Sequence, residues 1–453
     1  MRLPLSPPRF DELVTSLKQE EIPKAFGRSP LINNRYLHWD QLRHRSPPDN
    51  LSPEAWWTGV KIARMTLYKT LPLMDEYNRP FQFGTPDPVL QALHRIDRNA
   101  AGSLMMGAHA VSQEDRDRYL VSSLIEEAIT SSQLEGAATT REEAKSMLRS
   151  GRKPRDRSEQ MVLNNYTAME YIREIKQLPL TLDLLLELHR KVCIDTLDDS
   201  SAAGRLRREG ENIQVVDAGH STILHTPPEA SSLPESLRKL CQFANLGDDG
   251  EPFVHPVIRA ILLHFMLGYI HPFVDGNGRT ARALFYWSMA RQNYWLMEYL
   301  SISRLLKKAP AQYGRAYLYT ETDDNDATYF IIHQLVTIER AIEALYEYLD
   351  KKTEQQQSAE KLLRHSPQYT CQLNHRQVAL LSHALKHPGH NYTVASHRRS
   401  HNITQETART DLNRLVEINL LDKGKRGRAF VYYSPNDLRQ RIDARPASSS
   451  GNE

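Results

Sequence analysis

Over most of the chain, apolar residues recur at three- and four-residue intervals, the spacing of one buried helical face. Tyr119 to Ile129 shows this spacing and runs on through Thr130-Ser131-Ser132-Gln133-Leu134-Glu135-Gly136, where Gly136 is placed to end the helix. The same rhythm predicts helices at Glu159–Ile172, Leu180–Val192, Leu233–Phe243 and Asp326–Leu349. Two denser apolar runs, Ala260–Ile270 and Ala281–Ala290, flank a short polar segment, and Pro272 stops the first of them. One stretch breaks the pattern. Ile213, Val215 and Val216, then Thr222, Ile223 and Leu224, lie either side of a polar, glycine-containing turn, which predicts a β-hairpin within residues 211–226. Such a hairpin lacks sheet partners, so it offers an edge to an extended segment of another protein; a surface decoration fits the residues as well.

Residues 375–434 read as a separate module. Helical stretches at Arg376–Lys386, Thr393–His401 and Ile403–Val416 are followed by Leu420-Leu421, a basic glycine turn (Lys423–Arg428) and a strand, Ala429–Tyr433. The order resembles a winged helix, with Thr404 capping the recognition-type helix, and its cations suit either DNA phosphates or a docking protein. The full expectation is a mainly α chain. It comprises an N-terminal region (1–94) whose Trp56-Trp57 pair fills a small core or packs on the neighbouring domain, a helical region (95–200), a core with the hairpin (201–350), a linker (351–374) whose charged start to His365 reads as helical continuation or linker, the winged helix-turn-helix domain (375–436) and a disordered tail (437–453).

Composition narrows the setting. At 453 residues the chain can hold two or three domains, and a net charge of +3 implies no global attraction to nucleic acid. Cys193, Cys241 and Cys371 are too few and too scattered for a disulfide framework or a zinc site, which favours a reducing, cytoplasmic location. No stretch has the uninterrupted apolar length of a membrane span, so no membrane partner is expected.

The polar segment between the two apolar runs is His271-Pro272-Phe273-Val274-Asp275-Gly276-Asn277-Gly278-Arg279-Thr280-Ala281-Arg282. Helix, tight glycine loop, helix is an anion cradle: the second helix points its free N–H groups and positive dipole end into a loop that glycines keep open. His271 suits a general base, and Asp275 supplies one hard oxygen for Mg²⁺. Gly276, Asn277 and Gly278 offer backbone and amide donors, and Arg279 and Arg282, three apart, can both face phosphates. His264 is expected to be a core histidine. Glu135 at a helix C-terminus is disfavoured by the dipole, which invites a cationic partner.

His271 to Arg282 matches the Fic-domain signature, His-Pro-Phe-x-Asp/Glu-Gly-Asn-Gly-Arg-x-x-Arg, at every specified position, and the resemblance extends over roughly residues 95–345. Ser131-x-x-x-Glu135-Gly136 is similar to the family's inhibitory motif. The resemblance implies transfer of AMP from ATP, with Mg²⁺, to a Ser, Thr or Tyr hydroxyl of a target protein. It implies Glu135 pairing with Arg282 in an inhibited state, Tyr313 and Thr320 at the nucleoside, and the hairpin as target seat. Self-modification and a homodimer stay open at this stage. So do transfer of another nucleotide or phosphate, removal of AMP by water, and a DNA-binding regulator that only senses nucleotide.

Overall fold

The computed structural model describes residues 2–100, 113–217, 222–247, 249–364, 373–426 and 429–443. Its helices and strands begin with α1 (Phe10–Ser16), α2 (Ile22–Ala25), α3 (Trp39–Leu42), α4 (Pro53–Met65), β1 (Lys69–Met74), β2 (Pro80–Phe83) and α5 (Asp87–Ala100). There follow α6 (Gln113–Leu134), α7 (Arg141–Ser150), α8 (Arg157–Ile175), α9 (Leu182–Cys193), β3 (Val215–Val216), β4 (Ile223–His225) and α10 (Leu233–Ala244). The central helices are α11 (Pro256–Ile270), α12 (Asn277–Arg291), α13 (Ile302–Lys308), α14 (Pro310–Thr322) and α15 (Thr328–Arg364). The C-terminal set is α16 (His375–Lys386), β5 (Asn391–Tyr392), α17 (Val394–His401), α18 (Gln405–Glu417), β6 (Asp422–Arg426), β7 (Ala429–Tyr433) and α19 (Leu438–Asp443). The chain is mainly helical, as its periodicity predicts. Among the described residues no helix is long and apolar enough to cross a membrane.

The described residues within Met1–Ser103, Glu126–Thr139 and Pro154–Ala341 form one compact unit; those within Leu104–Ile125, Thr140–Lys153 and Ile342–Glu453 form a second. In the first unit α11 and α12 pack along one another and are buried on nearly every side. A helix of that kind belongs at the centre of a core, and α8 and α9 cover α12. The loop between α11 and α12 is thereby held at both ends by the buried centre of the unit.

The N-terminal region is better ordered than its polar composition suggests. Trp56 and Trp57 are buried with Leu13, Trp39, Leu42 and Val60, as expected of a core pair. The β1–β2 hairpin was not foreseen. Nor were two cations of α4 buried against polar side chains more than 250 residues away. Lys61 Nζ lies 2.5 Å from Asp323 Oδ1, and Arg64 Nη1 donates to Tyr329 Oη at 2.7 Å. Tyr36 and Tyr68 both donate to Asp326 Oδ2, at 2.6 and 2.8 Å. Charges so deeply buried persist only when paired and hydrogen-bonded.

In the second unit β5, β7 and β6 form an antiparallel sheet in that order. Leu381, Leu412, Leu415, Leu420 and Tyr432 make its core. The charged segment from Lys351, expected as helical continuation or linker, begins as the continuation of α15 to Arg364, and 365–372 lie outside the described residues. The tail expected from residue 437 begins with α19, because Leu438 and Ile442, one helical turn apart, are both buried in that core. Residues 444–453, the remainder of the expected tail, lie outside the described residues.

Candidate active site

His271 is the left-handed C-cap of α11, with φ 48°, and its N–H donates to Leu267 O at 3.0 Å. That turn swings the ring off the helix axis. Nδ1 lies 3.0 Å from the carbonyl oxygen of Gly268, which only accepts, so Nδ1 carries the proton and Nε2 keeps a lone pair. Burial pushes the imidazole below its ordinary pKa, and the charges of His225 and Arg207 add to that push; the Gly268 carbonyl and Glu135 oppose it. The net result favours a neutral ring, as a proton acceptor requires.

Past Phe273 the loop tightens. Gly276, at φ 80°, is the N-cap of α12, and a Cβ there would strike Cys193 Sγ. Asn277 braces the loop: its Oδ1 accepts from Phe273 N at 3.0 Å and one Nδ2 hydrogen donates to Phe273 O at 2.8 Å. Backbone N–H groups of the first turn of α12 add further donors at this helix end.

Arg282 reaches back from α12 to the end of α6. Nε donates to Ser131 Oγ at 2.9 Å, Nη2 to Ser131 O at 3.0 Å, and Nη2 to Glu135 Oε1 at 2.8 Å. Burial works against the guanidinium's charge, but Glu135 more than compensates and raises its pKa. Helix α6 ends there because Gly136, at φ 90°, closes a Schellman motif: Ala137 N bonds Ser132 O and Gly136 N bonds Gln133 O. The Glu135 carboxylate also lies directly over Gly278, where an added Cβ would run into Oε1. A carboxylate thus occupies the anion position at the N-terminus of α12.

Arg279 diverges from Arg282. It is fully buried, with Nη1 donating to Val192 O at 3.0 Å, and Nη2 lies 3.7 Å from Asp275 Oδ2. Asp275 Oδ2 is also 3.7 Å from Arg157 Nη2, while the carboxylate side chain remains 42% exposed. Among the described residues no group of three His, Cys, Asp or Glu side chains is placed to hold a metal.

The outlying candidates fare unequally. Tyr313 Oη pairs with His264 Nε2 at 2.7 Å, and His264 is a fully buried histidine among Phe285 and Phe330, as expected of a core residue. Thr320 is corrected: its side chain is fully buried and donates to Ala316 O of its own helix, so it presents nothing to a nucleoside. The hairpin is present but shorter than predicted. Val215 pairs with His225 and Val216 with Ile223, with an irregular register; Thr222 O accepts from Asp217 N at 3.0 Å just beyond the strands, while Ile213 lies outside the paired residues. Leu224 is half-buried and Ile223 is 48% exposed; 218–221 lie outside the described residues.

Residues 179–289 match the Fic/DOC family. The chain carries a Fic domain. A protein from Drosophila virilis named protein adenylyltransferase Fic is 35% identical over 137 residues, which is 29% of this chain and 25% of that one. Its Drosophila melanogaster namesake is 34% identical over the same share of each. The chain thus spans about a quarter of the length of these relatives. Solved structures with a similar course include a Fic family protein from Desulfovibrio desulfuricans, at TM-score 0.47 and 17% identity, covering 78% of this chain and 97% of that one. Another is Fic-1 from C. elegans, at TM-score 0.45 and 21% identity, covering 58% and 72%.

Three supports of the Fic loop escaped the sequence reading. His189 Nδ1 accepts from Gly204 N at 3.0 Å, so its Nε2–H donates to Asp275 O, 2.9 Å away; burial takes its pKa down to about 4, and its ring stacks on Phe273. Arg207 donates from Nε to His271 O at 2.9 Å and also bonds Pro228 O. Arg157 faces Asp275 from a basic segment that reads as solvated loop. A histidine on the apolar face of an amphipathic helix, as His189 is, was the one available signal.

Proposed function

We propose that this chain is an autoinhibited protein adenylyltransferase, transferring AMP from ATP to a Ser, Thr or Tyr hydroxyl of a target protein. The observation that carries the reading is Glu135 over Gly278 and bound to Arg282. An acid lodged in an anion cradle, beside a histidine with a free Nε2, describes a phosphoryl-group site with its own blocking residue. The names of the Drosophila relatives support AMP as the group transferred.

In this reading the target hydroxyl attacks the α-phosphorus of ATP and its proton passes to Nε2 of His271. The bond to the β-phosphate oxygen breaks and pyrophosphate departs with the electron pair. Backbone N–H groups at the start of α12 receive the charge that develops on the α-phosphate oxygens. Arg282, once released by Glu135, holds the terminal phosphate. Asp275 suits Mg²⁺: it is a single partly exposed carboxylate at the loop mouth, and this ion takes most of its ligands from phosphates and water. When bound there, Mg²⁺ supplies charge neutralisation on the phosphates.

The hairpin β3–β4, with unpaired edges among the described residues, is the proposed seat for an extended target segment. We read the C-terminal set α16–β5–α17–α18–β6–β7 as a winged helix. Incorporation of α-labelled ATP into protein by Glu135→Gly, absent in Glu135→Gly/His271→Ala, tests the assignment. Label that enters protein equally in both variants overturns it.

A further inference from the structure

His225, the last residue of β4, sits between two groups that can only accept hydrogen bonds. Its Nε2 is 2.7 Å from the carbonyl oxygen of Tyr269, and its Nδ1 is 2.7 Å from Glu321 Oε2 of α14. A neutral imidazole has one N–H and satisfies one such partner; two acceptors at this distance call for both protons. The Tyr269 carbonyl also belongs to the last turn of α11, where unpaired carbonyls and the negative end of the helix dipole favour a cation.

We propose that His225 is an imidazolium in this structure and that it clamps the hairpin's return strand to the end of α11, setting that strand beside His271. Arg207 closes the other side of the same turn, bonding the carbonyl of His271 and that of Pro228 just past the strand. Two cations therefore fasten residues 225–228 to the carbonyls on either side of Ile270. The inference rests on reading the His271 loop as a transfer site and the hairpin as the target's seat.

The groups facing His225 are Glu321 from α14, Tyr269 from α11, Glu76 from the β1–β2 turn, and His271 itself. Burial lowers the pKa of His225, but the hydrogen bond and charge of Glu321 outweigh it, and the pKa stands above that of a free imidazole. Tyr269 stays a neutral phenol. The charge has a second effect: it disfavours a proton on His271, keeping that ring a base. His225 is thus a positioning residue. The clamp is complete below the free-imidazole pKa of about 6.5 and is released as pH rises through the higher folded value.

The test begins without nucleotide or turnover. In protein labelled at the histidine rings, the His225 signal is assigned by its loss in His225→Asn. It should show both nitrogens protonated at pH 6.5 and a midpoint above that of free imidazole, falling below it in Glu321→Gln. A His225 ring with one unprotonated nitrogen at pH 6.5 overturns the proposal. In the Glu135→Gly background, Glu321→Gln and His225→Asn should each lower AMP transfer to protein about tenfold or more, with ATP affinity unchanged within about twofold. Unchanged transfer in both variants overturns the positioning role. If Glu135→Gly transfers no AMP while the ring is doubly protonated, the transferase reading fails and the imidazolium stands.

Discussion

Replacing Glu135 by glycine isolates the inhibitory contact. Arg282 is 2% exposed and donates three hydrogen bonds, two to Ser131 and one to Glu135, whose side chain is 29% exposed. Removing Glu135 takes away the single charged partner at 2.8 Å and leaves the two Ser131 bonds, so the guanidinium stays partnered and the fold is little disturbed. A charge-assisted bond of this kind contributes about 1.5–3 kcal/mol. At roughly 1.4 kcal/mol per tenfold, that corresponds to about one to two decades of activation. Glycine is also tolerated at the residue before a left-handed cap, so backbone cost is small. The assay is initial-rate incorporation of α-labelled ATP into protein, with thermal melts to confirm folding. Glu135→Gln, which keeps the shape and loses the charge, should fall between wild type and glycine. Equal rates for wild type and Glu135→Gly would refute the reasoning, and equality of Glu135→Gln with wild type would show that charge is not what inhibits.

Other expectations follow from single groups. His271 has its pKa pushed below 6.5 by burial and by the neighbouring His225 and Arg207 charges, so the neutral base survives into mild acid. The acid limb of kcat/KM in Glu135→Gly should therefore have its midpoint below pH 6.5, and a midpoint above 6.5 would remove neutral His271 as the base. Lys61→Met strands the fully buried Asp323 carboxylate, which costs about 3–5 kcal/mol in urea unfolding; a loss under about 1 kcal/mol would mean the pair is not buried in solution. In the C-terminal set, which we read as a winged helix, Arg409 of α18 is engaged by Glu406 and Arg414 by Glu417. Duplex DNA should accordingly bind no tighter than the non-specific range, a Kd of about 10⁻⁶ M or weaker at physiological salt. A tighter, sequence-selective complex would revive the DNA-regulator alternative.

The legible parts of the molecule were those whose chemistry is local. The loop from His271 to Arg282 carries its helix stop, glycines and functional groups within twelve residues, and the structure gathers them at one helix end. The periodic helices were equally plain, because one buried face writes itself into the spacing. What stayed hidden depends on partners distant in sequence. Lys61 and Arg64 look like the solvent side of an amphipathic helix, and only Asp323, Asp326 and Tyr329 make them core residues. The strand β1 contains Pro72 and ends among charged residues, which obscures the alternation of buried Leu71 and Leu73. Asn277 reads as a ligand donor by residue type; its bonds to both backbone groups of Phe273, four residues earlier, give it a loop-bracing role that residue type does not reveal. Thr320 was placed by resemblance alone, and its hydroxyl turns back on its own helix. Arg157 hid in a basic run whose other members gave no reason to single it out.

The central claim is that the site moves AMP from ATP onto a protein hydroxyl. Intact-protein mass spectrometry of Glu135→Gly after incubation with ATP and Mg²⁺ in host lysate tests it most directly, with His271→Ala as control. A mass gain equal to one AMP group is expected on a target or on the chain itself, lost in the control. A gain equal to phosphate, or an AMP gain that survives His271→Ala, would contradict it.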